Sequence, residues 1–245
     1  LAENAVVKTS GTGDEVVRWS NWAGNQTCLV PVARPTTEPE LQRVVVRAAE
    51  QGGTVKAVGS GHSFTGVAVA RDLAVSLVDY GRVRAIDPAA RTVTVEAGCR
   101  LRDLSEVLWT RGMALENLGD IDTQTVAGAL STGTHGTGVE FGSLSTTVVG
   151  MRLVDGQGDV VDCSASEQPE LFRAARVGLG ALGMISTVTL QCVPAYHLHA
   201  VEEPALLDEV LDGFDDSVRE NDHFEFFWIP GTRWALTKRN RRNVE

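Results

Sequence analysis

The sequence predicts an α+β fold, and three observations predict it. Helix-like and strand-like runs follow one another along most of the chain. Two glycine-rich loops, Val58-Gly59-Ser60-Gly61-His62-Ser63 and Ser131-Thr132-Gly133-Thr134-His135-Gly136-Thr137-Gly138, interrupt them. A separate strand–helix–strand block begins at Ala195.

In chain order, residues 1–18 are weakly patterned and read as a loose N-terminal arm. Cys28-Leu29-Val30 reads as a short strand ended by Pro31. Thr36 or Thr37 caps a helix over 38–51; Leu41, Val44, Val45 and Ala48 share one face, and Gly52-Gly53 stops it. Strands follow over 54–58, 74–78, 83–86 and 92–96, the last alternating as Thr-Val-Thr-Val-Glu. A helix over 102–111 is stopped by Gly112, and a short helix over 125–130 lies beneath the second glycine loop. Residues 148–154 and 159–163 flank Asp155-Gly156-Gln157-Gly158 as a hairpin. A helix over 169–177 and a strand over 184–193, ended by Pro194, complete this part. The last block reads as strand 197–201, helix 205–219 and strand 224–229, with the basic run 238–242 as an exposed loop. A lone strand–helix–strand buries little core, so residues 195–245 are expected to open a second domain.

Composition narrows the function. With 43 % hydrophobic residues in 245, the chain supports a packed core. A net charge of −10 argues against a nucleic-acid binder. Cys28, Cys99, Cys163 and Cys192 are far apart and show no C-x-x-C pairing, so buried free thiols are expected rather than a zinc site or redox dithiol. No metal is expected. No apolar run reaches the roughly 20 residues that span a bilayer. Residues 1–13 lack the basic start and apolar block of a signal peptide, so a cytoplasmic location is expected.

The first glycine loop is not a Walker A loop, because no G-K-[ST] follows it. It is not G-x-G-x-x-G either, since Phe64 stands where the third glycine belongs. Two readings remain: a plain tight turn, or a nest of backbone N–H groups that takes a diphosphate. His62 at its crest has three: a solvated loop histidine, a metal ligand without neighbouring ligands, or a nucleophile that carries a cofactor with an electrophilic carbon.

Several runs together match one pattern: Trp19-Ser20-Asn21-Trp22-Ala23-Gly24, the loop at 58–65, Asn117-Leu118-Gly119-Asp120, Thr125-Val126-Ala127-Gly128, Gly133-Thr134-His135-Gly136-Thr137-Gly138 and Leu179-Gly180-Ala181-Leu182-Gly183-Met184-Ile185. With them the chain resembles the sugar-1,4-lactone oxidases (L-gulonolactone and D-arabinonolactone oxidases) and the related alditol oxidases, vanillyl-alcohol-oxidase-type flavoproteins. The resemblance implies a two-lobed FAD-binding domain of the VAO/PCMH type over 19–194, with the cofactor between the lobes, and the start of a substrate (cap) domain over 195–245. It implies FAD held covalently through His62, with Ala57, Val58, Gly59, Ser60, Gly61 and Ser63 around its diphosphate and ribityl region. Gly119, Asp120, Thr125, Gly128, Ala129, Ser131, Thr134, His135 and Gly138 are implied to line the other side, and Ile185 the adenine or ribose end. Asp120 is also a candidate on the substrate side, and His135 reads as structural. No cysteine lies between Gly119 and Gly138, so a single tether is expected.

The implied activity is hydride transfer from an aldono-1,4-lactone to flavin, with O₂ reduced to H₂O₂. Glycine at position 119 favours O₂ as acceptor, because a larger side chain there obstructs oxygen in such enzymes. The alternatives are a lactone dehydrogenase using a quinone or cytochrome, an alditol oxidase, a non-catalytic flavin module, and a nucleotide-binding protein without flavin. The family's acid–arginine pair and His-Trp dipeptide are absent, so most of the substrate site is expected in a missing C-terminal half.

Overall fold

Two five-stranded sheets make up most of the computed structural model, which describes the backbone of residues 6–9 and 14–243 and the side chains of residues 14–242. The first sheet is built from β1 (Val6–Thr9), β2 (Glu15–Ser20), β3 (Thr27–Ala33), β4 (Val55–Val58) and β5 (Leu73–Ser76), in the order β1-β2-β3-β5-β4. Its β3, β5 and β4 run parallel. Helix α1 (Glu38–Glu50) makes the crossover from β3 to β4. Thr37 caps it by accepting from Glu40 N–H, and Glu40 reaches back to the N–H and hydroxyl of Thr36, both at 2.8 Å. Its Leu41, Val45 and Ala48 are buried.

The second sheet is antiparallel throughout: β6 (Val83–Asp87), β7 (Thr92–Glu96), then β9 (Val148–Val154), β10 (Val160–Ser164) and β11 (Met184–Gln191), in the order β10-β9-β11-β7-β6. Between its halves run α2 (Leu101–Trp109), the short β8 (Met113–Ala114) and α3 (Val126–Ser131). Helix α4 (Pro169–Ala175) precedes β11, and β12 (Val193–Pro194) pairs with β8. Leu101, Leu104 and Leu108 of α2 are fully buried, packed in one cluster with Leu41 and Val45 of α1 and with Val93, Val95 and Val188 of the second sheet. Each such side chain contributes about 1.5–3 kcal/mol by leaving water. The architecture is the α+β fold expected.

A polar network also joins the sheets. The carboxylate of Glu38 on α1 accepts from Arg152 Nε at 2.8 Å and from Ser186 Oγ at 2.7 Å. Tyr80 OH and Ser186 Oγ lie 2.9 Å apart, and Arg152 also donates to Asp162 at 2.7 Å.

Beyond Pro194 lies a three-stranded antiparallel sheet in the order β13-β15-β14, from β13 (His197–Leu206), β14 (His223–Trp228) and β15 (Trp234–Asn243). Helices α5 (Leu207–Asp212) and α6 (Phe214–Glu220) cover it, with Val210, Phe224 and Ala235 as its own small core.

Five sequence readings need correction. The N-terminal arm is not loose where described: β2 buries Val16, Val17 and Trp19 and pairs with β3, while residues 1–5 and 10–13 lie outside the described residues. Pro31 does not end β3, because pairing with β5 begins only at Val32 and needs no donor from residue 31 on that side. The strand over 184–193 breaks at Cys192, and Val193 turns to pair with Ala114. The helix over 205–219 is two helices parted at Gly213, and Ala205 and Leu206 belong to β13. The basic run 238–242 is no loop but part of β15, the central strand of its sheet. Its charges are tolerated there because each finds a partner at the sheet's faces or edges, as Arg239 does with Glu203 at 2.6 Å.

Candidate functional site

The loop after β4 is shaped by what its carbonyls bind. Trp22 N–H donates to Gly61 O at 2.7 Å, Asn21 Nδ2 to Ser63 O at 2.9 Å, and Asn25 Nδ2 to Phe64 O at 3.0 Å. The turn after β2 therefore draws the loop's acceptors to one side. Among the described residues, no protein acceptor takes the N–H groups of Ser60, Gly61, His62 or Ser63. Gly61 has φ +72°, and a Cβ on it would lie 3.3 Å from Asn21 Cα. A Cβ on Gly59 would lie 2.8 Å from Thr125 Oγ1, and one on Gly128 would lie 2.9 Å from the same atom. That hydroxyl caps α3 by accepting from Gly128 N–H at 3.2 Å. Free donors on a glycine backbone make an anion-binding concavity, which favours the nest over the plain turn.

This loop forms one wall of a cavity of about 630 Å³ between the two sheets. The facing wall comes from Val154–Gly156 at the end of β9 and from the turn Leu179–Ile185 leading into β11. Thr125, Gly128 and Ser131 of the α3 region form the floor. Leu179 is held at φ +53°, outside the ordinary range of an L-residue, between Ser131 O and its own turn.

His62 is half-buried in the wall. Its Nε2 lies 3.0 Å from Thr123 Oγ1, and its ring stacks on Trp22 with centroids 5.8 Å apart. Ser60 Oγ donates to Thr123 O at 2.5 Å, so one residue fixes both side chains of the loop. The residues fit an extended anionic guest: a glycine cradle with unpaired donors, long apolar walls, and a single oriented nucleophile.

Of the residues singled out from sequence, Ala57, Val58, Gly59, Ser60, Gly61, His62, Ser63, Thr125, Gly128, Ser131 and Ile185 line the cavity. Six do not. Ala129 is fully buried beneath the floor. Gly119 packs against the second glycine loop, where a Cβ would meet His135 O at 3.1 Å; this position is filled by backbone and does not stand open. Asp120 is exposed and pairs with Lys238 of β15 at 3.2 Å, whose ammonium also binds Glu225 at 2.9 Å; the Glu225 bond, with the second carboxylate, raises the lysine above its ordinary range. Thr134 accepts from Gln124 Nε2 at 3.2 Å, and His135 is exposed with Nδ1 2.9 Å from Gly136 O.

Gly138 belongs to a joint. Its Cβ position is occupied by Asp222 O and the Phe141 ring. Phe141 stacks on the buried His223 with centroids 4.9 Å apart, and His223 Nδ1 lies 2.8 Å from Thr137 O. The Arg242 guanidinium sits 4.2 Å from the ring centres of both Phe141 and Tyr196, and Arg242 also bonds Glu116 O. The second glycine loop thus seats the C-terminal sheet.

Sequence reasoning missed Lys56, Gln124, Thr132, Asp155, Gly156 and the stretch 179–184 as wall residues. The Gly180 and Gly183 spacing was the available signal, because both take positive φ at the turn that faces the loop. The cysteines are free; Cys99 and Cys192 are buried, and burial pushes each thiol up to about 11, away from reactivity. No group of His, Cys, Asp and Glu suited to a metal ion occurs among the described residues, and no helix among them is long and apolar enough to cross a membrane.

Known proteins place this geometry. Residues 31–164 match the model of an FAD binding domain, and residues 188–245 match that of D-arabinono-1,4-lactone oxidase. The chain is 45 % identical to an L-gulono-1,4-lactone dehydrogenase of Mycobacterium tuberculosis, over 93 % of this chain and 53 % of the relative. It is 40 % identical to the L-gulonolactone oxidase of Bos taurus (89 % and 50 %) and 35 % identical to the D-arabinono-1,4-lactone oxidase of Eremothecium gossypii (98 % and 46 %). The chain therefore spans about half the length of the curated relatives it matches. Its fold matches that of cholesterol oxidase from B. sterolicum with TM-score 0.84 at 18 % identity, over 99 % of this chain and 51 % of that one. The long cleft between two sheets, the loop of free backbone donors and the match over 31–164 lead to one conclusion: this chain belongs to the FAD-binding domain family.

Proposed function

We propose that this protein oxidises an aldono-1,4-lactone of the gulono, arabinono or galactono type, using FAD bound covalently through His62. The observation that carries the reading is the cavity wall at 57–63, where unpaired N–H groups and a half-buried histidine held by Thr123 face one cleft. The names of the relatives support the substrate class. When bound, flavin supplies the acceptor for a hydride leaving a hydroxyl-bearing ring carbon, with O₂ taking the electrons as H₂O₂. The chain's own residues hold and orient. The loop N–H groups neutralise the diphosphate. Thr123 and Trp22 fix the His62 ring for attachment. Thr125 keeps the floor rigid by capping α3.

Residues 19–194 then form the cofactor domain, and residues 195–245 begin the substrate side, completed by the segment that corresponds to the second half of the relatives. The four free thiols favour a reducing, cytoplasmic setting. The dehydrogenase name of the 45 % identical relative favours a second reading of the acceptor, a quinone or cytochrome in place of O₂.

Two measurements on the full-length protein test this. Acid-precipitated protein is expected to stay yellow, and His62→Ala to release its flavin to acid. Anaerobic L-gulono- or D-arabinono-1,4-lactone is expected to bleach the flavin absorbance. Flavin that stays bound through acid in His62→Ala sinks the tether, and an absorbance unmoved by every aldonolactone sinks the substrate class. Peroxide formation under air separates the two acceptors.

A further inference from the structure

The cavity is short of positive charge. Among the described wall residues, Lys56 is the sole lysine or arginine and Asp155 the sole carboxylate. Asp155 is turned into its own hairpin, where Oδ1 accepts from Gln157 N–H at 2.8 Å and Asp159 N–H at 3.0 Å. The whole chain carries −10, a field that opposes entry of a dianionic guest. Backbone N–H groups offset part of that with partial charges. Among the described wall residues, lysine or arginine supplies a full cation only at Lys56.

That cation is held in position. Lys56 lies on β4, two residues before the loop begins at Val58, and its Nζ donates to Leu179 O at 2.9 Å in the facing wall. Both ends of this bond line the cavity, so the ammonium bridges the cleft. An ammonium has three donors, and the carbonyl takes one. A Cβ on Gly180 would stand 3.9 Å from Nζ, so the glycine leaves that side of the ammonium to a guest. The bond to a neutral carbonyl leaves the charge itself unpaired among the contacts described for Lys56, unlike Lys238, which two carboxylates share.

Resting on the FAD reading above, we infer that Lys56 is the charge that recruits and retains the cofactor's diphosphate, with Leu179 O as the prop that keeps its ammonium at the cleft. The role belongs to binding before any covalent attachment, so it is read on flavin that can still dissociate. The test uses the full-length protein carrying His62→Ala, stripped of flavin and titrated with FAD or with riboflavin, which has no phosphate, by quenching of flavin fluorescence.

Adding Lys56→Gln keeps a donor for Leu179 O and removes the charge. FAD is expected to bind about tenfold more weakly, with a shallower dependence on salt between about 50 and 300 mM, while riboflavin changes less than about twofold. Lys56→Arg is expected to stay within about threefold of the parent for FAD. FAD binding unchanged in Lys56→Gln overturns the inference. So does an equal loss of FAD and riboflavin, which marks a bridge that matters for shape alone. Should Lys56→Gln fail to fold, the parent decides: FAD binding must weaken with salt more steeply than riboflavin binding, and equal slopes overturn the inference. A parent that binds neither flavin refutes the cofactor reading itself, a result distinct from each of these.

Discussion

Removing the Glu38 carboxylate tests how the two sheets are held around the cleft. Glu38→Ala deletes two bonds from Arg152, at 2.8 and 3.1 Å, and one from the Ser186 hydroxyl at 2.7 Å. A hydrogen bond to a charged group contributes about 1.5–3 kcal/mol. The sum is discounted here, because the Arg152 side chain is 39 % exposed and keeps Asp162, and because Ser186 keeps Tyr80 OH. About 2 kcal/mol remains, which for a chain of this size lowers Tm by about 4–8 °C. The Arg152 bonds, with help from Ser186, hold the Glu38 carboxyl below its ordinary value of 4.5. A group whose pKa is depressed by folding contributes stability that is full above the unfolded pKa and is lost as pH falls through the folded one. The gap between parent and variant is therefore complete at neutral pH and narrows as pH drops below 4.5. Calorimetry at pH 7 and at about pH 3.5 measures both effects. A variant within about 1 °C of the parent at pH 7, or a gap that persists undiminished in acid, refutes the reasoning.

Two further substitutions probe the site and its joint. Gly59→Ala forces a Cβ to within 2.8 Å of Thr125 Oγ1, so the α3 cap must move; about 1 kcal/mol of stability and most of the bound flavin are expected to be lost, read by thermal unfolding and by the ratio of flavin to protein absorbance. Arg242→Leu removes a guanidinium between Phe141 and Tyr196; a loss of about 2 kcal/mol is expected, seen as faster proteolysis beyond Pro194, and an unchanged digestion rate speaks against the joint.

Much of the fold was legible because its signals are local. Thr37 before an acidic first turn, the alternation at 92–96 and Thr125 ahead of an apolar run each act within one turn of the chain. The run at 238–242 was not legible, because nothing local makes Lys-Arg-Asn-Arg-Arg a strand. Its place is set by pairing with β13 on one side, from Leu206 opposite Trp234 to His197 opposite Asn243, and with β14 on the other. The same divide runs through the site. The wall at 57–63 is one contiguous stretch and was read in full. The opposite wall exists only because β11 pairs with β9, Met184 against Val154 and Ile185 against Leu153, and that pairing is invisible residue by residue.

The two glycine loops look alike in sequence but pack against different parts of the protein. In the first, the carbonyls are bound by the 21–25 turn and the N–H groups are left over, so the loop is built to receive something. In the second, the backbone is bound internally at its start, while the N–H groups of His135, Gly136, Thr137 and Gly138, like those of the first loop, have no protein acceptor among the described residues. Gly133 N–H donates to Leu130 O at 3.0 Å, Thr134 N–H to Ala129 O at 2.9 Å, and Thr134 O accepts from Leu144 N–H at 2.9 Å. Thr137 O faces both Asn117 Nδ2 and His223 Nδ1. Its glycines also serve close packing: Gly136 against Asn117 and Leu118 O, Gly138 against Asp222 O. A glycine-rich loop therefore announces close approach, and here the second loop combines glycines packed against the protein with N–H groups that no protein acceptor takes among the described residues. The first loop lines the cleft, and the second, which lines it at Ser131 and Thr132, also fixes the C-terminal sheet, and with it Lys238 beside Asp120, at a set position relative to the cleft.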